Sequence, residues 1–137
     1  MNVVIDASVA IKWFVQEDLH EWAMRLLDRR HLLYAPDLIV SEMTNIAWKK
    51  AIRGEIDRAQ AHEIATTIRW GVPILYPSTA LNERALQIAL ALNHPVYDCL
   101  YIACAEFIDC GLVTADARLV AAAKKTAFKS LVRYLEE

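Results

Sequence analysis

The chain has 137 residues, 56% of them apolar, with 15 Lys and Arg against 17 Asp and Glu, a formal net charge of −2. That length suits one compact domain spanning residues 1–137, and no run approaches the ~18 consecutive apolar residues of a membrane helix, so a cytoplasmic protein with no membrane partner is expected. Near-neutral charge excludes a global basic field for nucleic acid and leaves only a local patch, while the high apolar fraction leaves surface over for a protein partner.

In chain order, Asn2 to Ile5 reads as a first strand, and Ser8 can cap a short helix through Phe14. Leu19, Trp22, Ala23, Leu26 and Leu27 recur at helical spacing. Leu32 to Ala35 makes a short strand ended by Pro36, after which Asp37 caps a helix to about Arg53, stopped by Gly54. Asp57 opens another helix toward Arg69, and Val72 to Tyr76 is strand-like, with Pro73 demoting it toward an edge or a strand start. Ser78 caps a helix to about Leu92, Asn93-His94-Pro95 breaks the chain, and an apolar helix follows until Gly111. Leu112 to Thr114 is a strand, Ala117 to Lys124 a helix, and Phe128 to Val132 a weak closing strand. This alternation predicts an α/β fold on a parallel sheet. Cys99, Cys104 and Cys110 lack a CxxC spacing and read as buried reduced thiols.

Four carboxylates stand where folding alone would not place them. Asp6 and Asp116 follow apolar strands, where ligand sites of open parallel sheets form. Glu42 lies along an apolar helix stripe with Asn45 one turn on. Asp98 is the sole charge between Pro95 and Ala105, in a helix apolar nearly all round and therefore expected to be buried, near the positive end of the helix dipole. Lys or Arg falls within three residues only for Asp116, beside Arg118. Carboxylates removed from water need a partner, and a cation from solution fits. Asp6 and Asp116 equally suit helix caps, and Ser8, Asn45 and Thr114 suit hydrogen-bond partners better than direct ligands.

The stretches Val4-Ile5-Asp6-Ala7-Ser8, Ser41-Glu42-Met43-Thr44-Asn45, Tyr97-Asp98-Cys99-Leu100-Tyr101-Ile102-Ala103 and Thr114-Ala115-Asp116-Ala117-Arg118-Leu119, in this order, resemble the PIN-domain ribonucleases. The likeness spans essentially the whole chain and is greatest to the small VapC-type toxins of toxin–antitoxin modules. It implies a three-layer α/β/α fold with a central parallel sheet and a Mg²⁺ or Mn²⁺ site at Asp6, Glu42, Asp98 and Asp116, supported by Ser8, Asn45 and Thr114. It further implies hydrolysis of an RNA substrate to 5′-phosphate and 3′-hydroxyl ends, a cognate antitoxin and a homodimer. The chemistry agrees, since Mg²⁺ takes hard oxygen ligands and relieves repulsion among clustered acids; whether one or two ions act stays open.

Among basic residues, Lys12, after Asp6, is the preferred phosphate contact, while Lys49, Lys50, Arg53 and Arg29-Arg30 are explained by helix C-termini. His20, His31, His62 and His94 are dispersed and read as surface residues away from the acids, and Tyr97, Tyr101 and the Trp residues as core or interface. A phosphoacceptor receiver would need an adjacent acidic pair after the first strand, and a haloacid-dehalogenase phosphatase a second Asp where Ser8 stands. With only three glycines and no GxGxxG, a dinucleotide fold is excluded. The remaining alternative is a non-catalytic PIN-like module that binds RNA or protein.

Overall fold

The computed structural model describes residues 1–70 and 73–137. Its elements run β1 (Asn2–Ile5), α1 (Ala7–Ala10), α2 (His20–Arg25), β2 (Leu32–Pro36), α3 (Leu38–Ile52), α4 (Arg58–Trp70), β3 (Ile74–Tyr76), α5 (Asn82–Leu92), α6 (Val96–Ile108), β4 (Gly111–Thr114), α7 (Ala117–Lys124) and β5 (Val132–Tyr134). All strands are parallel, in the order β3-β2-β1-β4-β5. Val4 lies opposite Tyr34 on one side and Leu112 on the other. Right-handed crossovers place the helices of the β1 to β3 excursion on one face and those of the return leg on the other. This is the three-layer α/β/α arrangement, and the order reverses between β1 and β4.

Burial explains the composition. Val3, Val4 and Ile5 of β1 and Leu112, Val113 and Thr114 of β4 are all buried, as strands covered on both faces must be. Cys99 to Ala105 of α6 are buried without interruption, and α6 packs across β1, β2 and β4. Each fully buried side chain such as Ile102 or Ile5 contributes roughly 1.5–3 kcal/mol of apolar burial. No single helix among the described residues is long and apolar enough to cross a membrane.

Several local expectations shift. Asp6, not Ser8, caps α1, and the helix tightens into a 3-10 turn over Ile11–Trp13. Asp37 occupies the cap position of α3, but its carboxylate accepts from the Ser78 N–H and hydroxyl, tying α3 to the turn before α5. Asp57 does open α4, through reciprocal bonds: Gln60 N–H to Asp57 Oδ1 at 2.7 Å and Asp57 N–H to Gln60 Oε1 at 2.8 Å. Asp109, in the left-handed region (φ 60°), ends α6, so Gly111 is free to begin β4. The closing strand starts at Val132, with Ala127–Ser130 forming a 3-10 turn. Ile74–Tyr76 is an edge strand; Val72 lies outside the described residues.

Candidate active site

The crevice at the β1/β4 reversal is where an open parallel sheet leaves room for a ligand. Asp6 leaves β1 in extended backbone (φ −107°, ψ 179°). Its Oδ1 accepts from Ser8 Oγ at 2.5 Å and Val9 N–H at 3.3 Å, and its Oδ2 accepts from Thr114 Oγ1 at 2.5 Å. Asp116 caps α7 by accepting from Arg118 N–H at 2.9 Å, while its own N–H donates to Thr114 Oγ1 at 3.0 Å. Ser8 Oγ accepts from Ala115 N–H at 2.9 Å. Ser8 and Thr114 therefore stitch the two strand ends together, and both aspartates cap a helix while facing the same crevice.

Two helices complete the wall. Half-buried Glu42, in the second turn of α3, accepts a hydrogen bond at Oε1 from the Tyr101 hydroxyl of α6. Tyr101 is 1% exposed yet lines the cleft, a site residue that its apolar surroundings hid in the sequence. Asp98 is in the first turn of α6, but its side chain is 32% exposed rather than buried. The continuous burial of α6 begins only at Cys99, so Asp98 projects at the helix end. The expectation that no histidine sits beside the acids fails for His94, whose Nε2 lies 2.7 Å from Asp98 Oδ2. Asn93 in the left-handed region (φ 55°) turns the chain so that His94 falls one helical turn before Asp98. The i, i+4 spacing was the available signal, masked by Pro95.

Asp6, Glu42, Asp98 and Asp116 all line one cleft of about 200 Å³, with Ala7, Ser8, Ile46 and Tyr101. A groove of about 400 Å³ between α3 and α4 is larger, but its lining carries no carboxylate. Asn45 is exposed, does not line the cleft and makes no side-chain hydrogen bond among the described residues. Lys12 does not line it either; its ammonium pairs with Glu17 Oε1 at 3.2 Å, and Glu17 Oε2 is shared with Lys50 at 3.2 Å.

Burial pushes Asp6 up to about 6, with the charge of Asp98 adding to the rise against the hydrogen bonds from Ser8, Thr114 and Val9. Glu42 is raised for the same reason, burial first and Asp98 after it, opposed by the Tyr101 hydrogen bond. Burial and the neighbouring Glu42 carboxylate push Tyr101 well above its usual range, so its hydroxyl keeps its proton and donates it to Glu42. Among the described residues no Lys or Arg pairs with any of the four acids. The cleft is acidic and lacks an internal counter-charge.

That donor set fits a hard divalent cation. The acids that line the cleft offer carboxylate oxygens, with no His or Cys among the lining residues. No three His, Cys, Asp or Glu side chains among the described residues are gathered closely enough to hold a metal ion between them. Such openness suits Mg²⁺, which keeps several waters and takes one or two carboxylates together with substrate oxygens. Asp6 and Asp98, whose charges interact, would hold it, with Asp116 and Glu42 at the cleft wall.

Comparison with known proteins identifies the fold and the family. The PIN domain family model matches residues 3–125. A VapC ribonuclease of Mycobacterium bovis is 33% identical over 117 residues, covering 85% of this chain and 87% of that one. Ribonuclease VapC3 of Pyrobaculum aerophilum is 32% identical over 121 residues, covering 87% of this chain and 92% of its own. Among solved structures, Mycobacterium tuberculosis VapC20, a sarcin-ricin-loop-cleaving toxin, superimposes with a TM-score of 0.70 at 18% identity, covering 88% of this chain and 94% of that one. VapBC2 of Rickettsia felis, bound to promoter DNA, does so with a TM-score of 0.66 at 11% identity, covering 98% of each; these two likenesses bear on the fold. From a match over most of its length and relatives a third identical, the chain belongs to the PIN domain family, alongside members named VapC ribonucleases.

Proposed function

We propose that this protein is a Mg²⁺- or Mn²⁺-dependent endoribonuclease acting in the cytoplasm as the toxin of a toxin–antitoxin module. The observation that carries the reading is the convergence of Asp6, Glu42, Asp98 and Asp116 on one cleft at the β1/β4 reversal, with no Lys or Arg paired to them among the described residues. The ribonuclease names of its relatives support it.

When bound, the cation supplies positive charge to the phosphodiester and acidifies water. The chain's own residues do the rest. Asp6 is held in one orientation by Ser8, Thr114 and the Val9 N–H. Glu42 has Oε1 occupied by Tyr101, leaving Oε2 to take the proton of the attacking water; burial raises its proton affinity toward that task. Asp98, with Asp6, would hold the cation, and Asp116 adds its carboxylate to the cleft wall. Lys12 and Lys50, paired through Glu17, form the basic ground nearest in sequence to α1 and α3 for RNA phosphates. Water attacking in line leaves a 5′-phosphate and a 3′-hydroxyl.

Regulation by a cognate antitoxin follows the VapBC neighbours, and a homodimer is consistent with exposed Trp48, Ile52, Leu90 and Phe107. Light scattering would report twice the 15.5 kDa chain mass. The deciding experiment is cleavage of total RNA by purified protein in Mg²⁺ or Mn²⁺ against EDTA, with Asp98→Asn prepared identically. Metal-dependent fragments absent in the variant are expected. No cleavage by folded protein would favour a binding module, and 2′,3′-cyclic phosphate ends would overturn attack by water.

A further inference from the structure

His94 does not line the cleft, yet it touches one of its acids. Its main chain is fixed on both sides. Asn93 ends α5 in the left-handed region (φ 55°, ψ 52°), the His94 N–H donates to Ala89 O at 3.2 Å, and Pro95 starts α6. The side chain, 14% exposed, is packed with Nε2 2.7 Å from Asp98 Oδ2. An ionised carboxylate only accepts, so Nε2 carries the hydrogen in this contact.

The acids differ in how they are restrained. Asp6 has three donors and Glu42 has Tyr101, whereas Asp98, a third exposed on a helix end, has only His94 as a side-chain partner among the described residues. Without it the carboxylate would be free to rotate between staggered wells.

We propose that His94 is a positioning residue: by donating Nε2–H to Oδ2 it fixes the Asp98 carboxylate and leaves Oδ1 for the cation. This rests on Asp98 being a cation-holding acid, as proposed above. Hydrogen bonds from behind a ligating group orient it, and their loss weakens metal binding by roughly 10- to 100-fold.

The test is Mn²⁺ binding without RNA, read from the electron paramagnetic resonance of free Mn²⁺, for the unaltered protein, Asp98→Asn, His94→Leu and His94→Gln. A glutamine places an amide donor near the imidazole Nε2. The Leu variant is expected to bind roughly 10- to 100-fold more weakly, and Gln to recover most of that loss, with melting curves confirming that both fold. Should the Leu variant not fold, His94→Asn, whose amide stops short of Asp98, replaces it with the same expected loss. Binding lost in Asp98→Asn but unchanged in His94→Leu would overturn the positioning role and leave the metal site standing. A Gln variant as weak as Leu would also overturn it, assigning the effect to ring packing. No Mn²⁺ binding by the unaltered protein, or none lost in Asp98→Asn, would remove the metal site and the positioning role together.

Discussion

Thr114 and Asp6, 108 residues apart in the chain, meet across the seam between β4 and β1, where the Thr114 hydroxyl donates to Asp6 Oδ2 at 2.5 Å. Thr114 Oγ1 also accepts the Asp116 N–H, so one fully buried hydroxyl holds the Asp6 carboxylate and the Asp116 main chain together. Thr114→Val keeps the shape and removes both bonds. A hydrogen bond to a charged group is worth about 1.5–3 kcal/mol, and a loss of about 2 kcal/mol is expected at pH 7.5. The loss should be smaller at pH 4.5, where Asp6 is protonated in the fold. Urea unfolding at the two pH values measures it.

Burial raises Asp6 from 3.8 to about 6. A carboxyl group raised on folding binds more protons in the native state between those values, so stability falls as pH rises through that window and levels off above it. The metal-free protein should lose about 2 kcal/mol from this group between pH 4 and pH 6.5. Asp6→Asn should flatten that part of the curve, and divalent cation should restore stability at pH 7 only in the unaltered protein. Thermal melts in EDTA and in Mn²⁺ across this range provide the check.

The Tyr101 hydroxyl opposes the burial that raises Glu42. Removing it in Tyr101→Phe should raise Glu42 further and cost about 1–2 kcal/mol of stability. With Glu42 as proton acceptor, the acidic limb of the pH–rate profile should move to higher pH, while the affinity for Mn²⁺ changes little. An unmoved limb would assign the proton to another acid.

Glu17 holds both Lys12 and Lys50 at 3.2 Å, and Glu55 lies 3.7 Å from Lys50, so both ammonium groups are engaged by carboxylates. Glu17→Gln should strengthen RNA binding and steepen its dependence on salt, because Lys12 loses its carboxylate partner and becomes available to phosphate. Lys12→Ala added to Glu17→Gln should reverse that gain and lower the salt slope by about one unit. Filter binding with catalytically silent Asp98→Asn as the common background separates affinity from cleavage.

Much of this architecture was legible because parallel strands covered on both faces leave continuous apolar runs such as Val3-Val4-Ile5, and because a carboxylate interrupting such a run has few structural reasons to be there. The closing strand and the end of α6 were displaced because Asp109 took the left-handed conformation that composition assigned to Gly111, and because Phe128 is drawn into a 3-10 turn by the Thr126 hydroxyl. Tyr101 and His94 escaped notice for a different reason. Their roles depend on which atoms meet across 59 residues in one case and around a proline in the other, and hydrophobic periodicity carries no record of either.

The central strand of the sheet, β1, lies far ahead in the chain of its partner on one side, β4, which begins only at Gly111. A ribosome synthesising this chain therefore releases Asp6, Glu42 and Asp98 before the wall that carries Thr114 and Asp116 exists. Pairing over so long a separation is slow to nucleate. On the proposed reading, a chain cut short before β4 is expected not to cleave RNA, because it lacks Thr114 and Asp116.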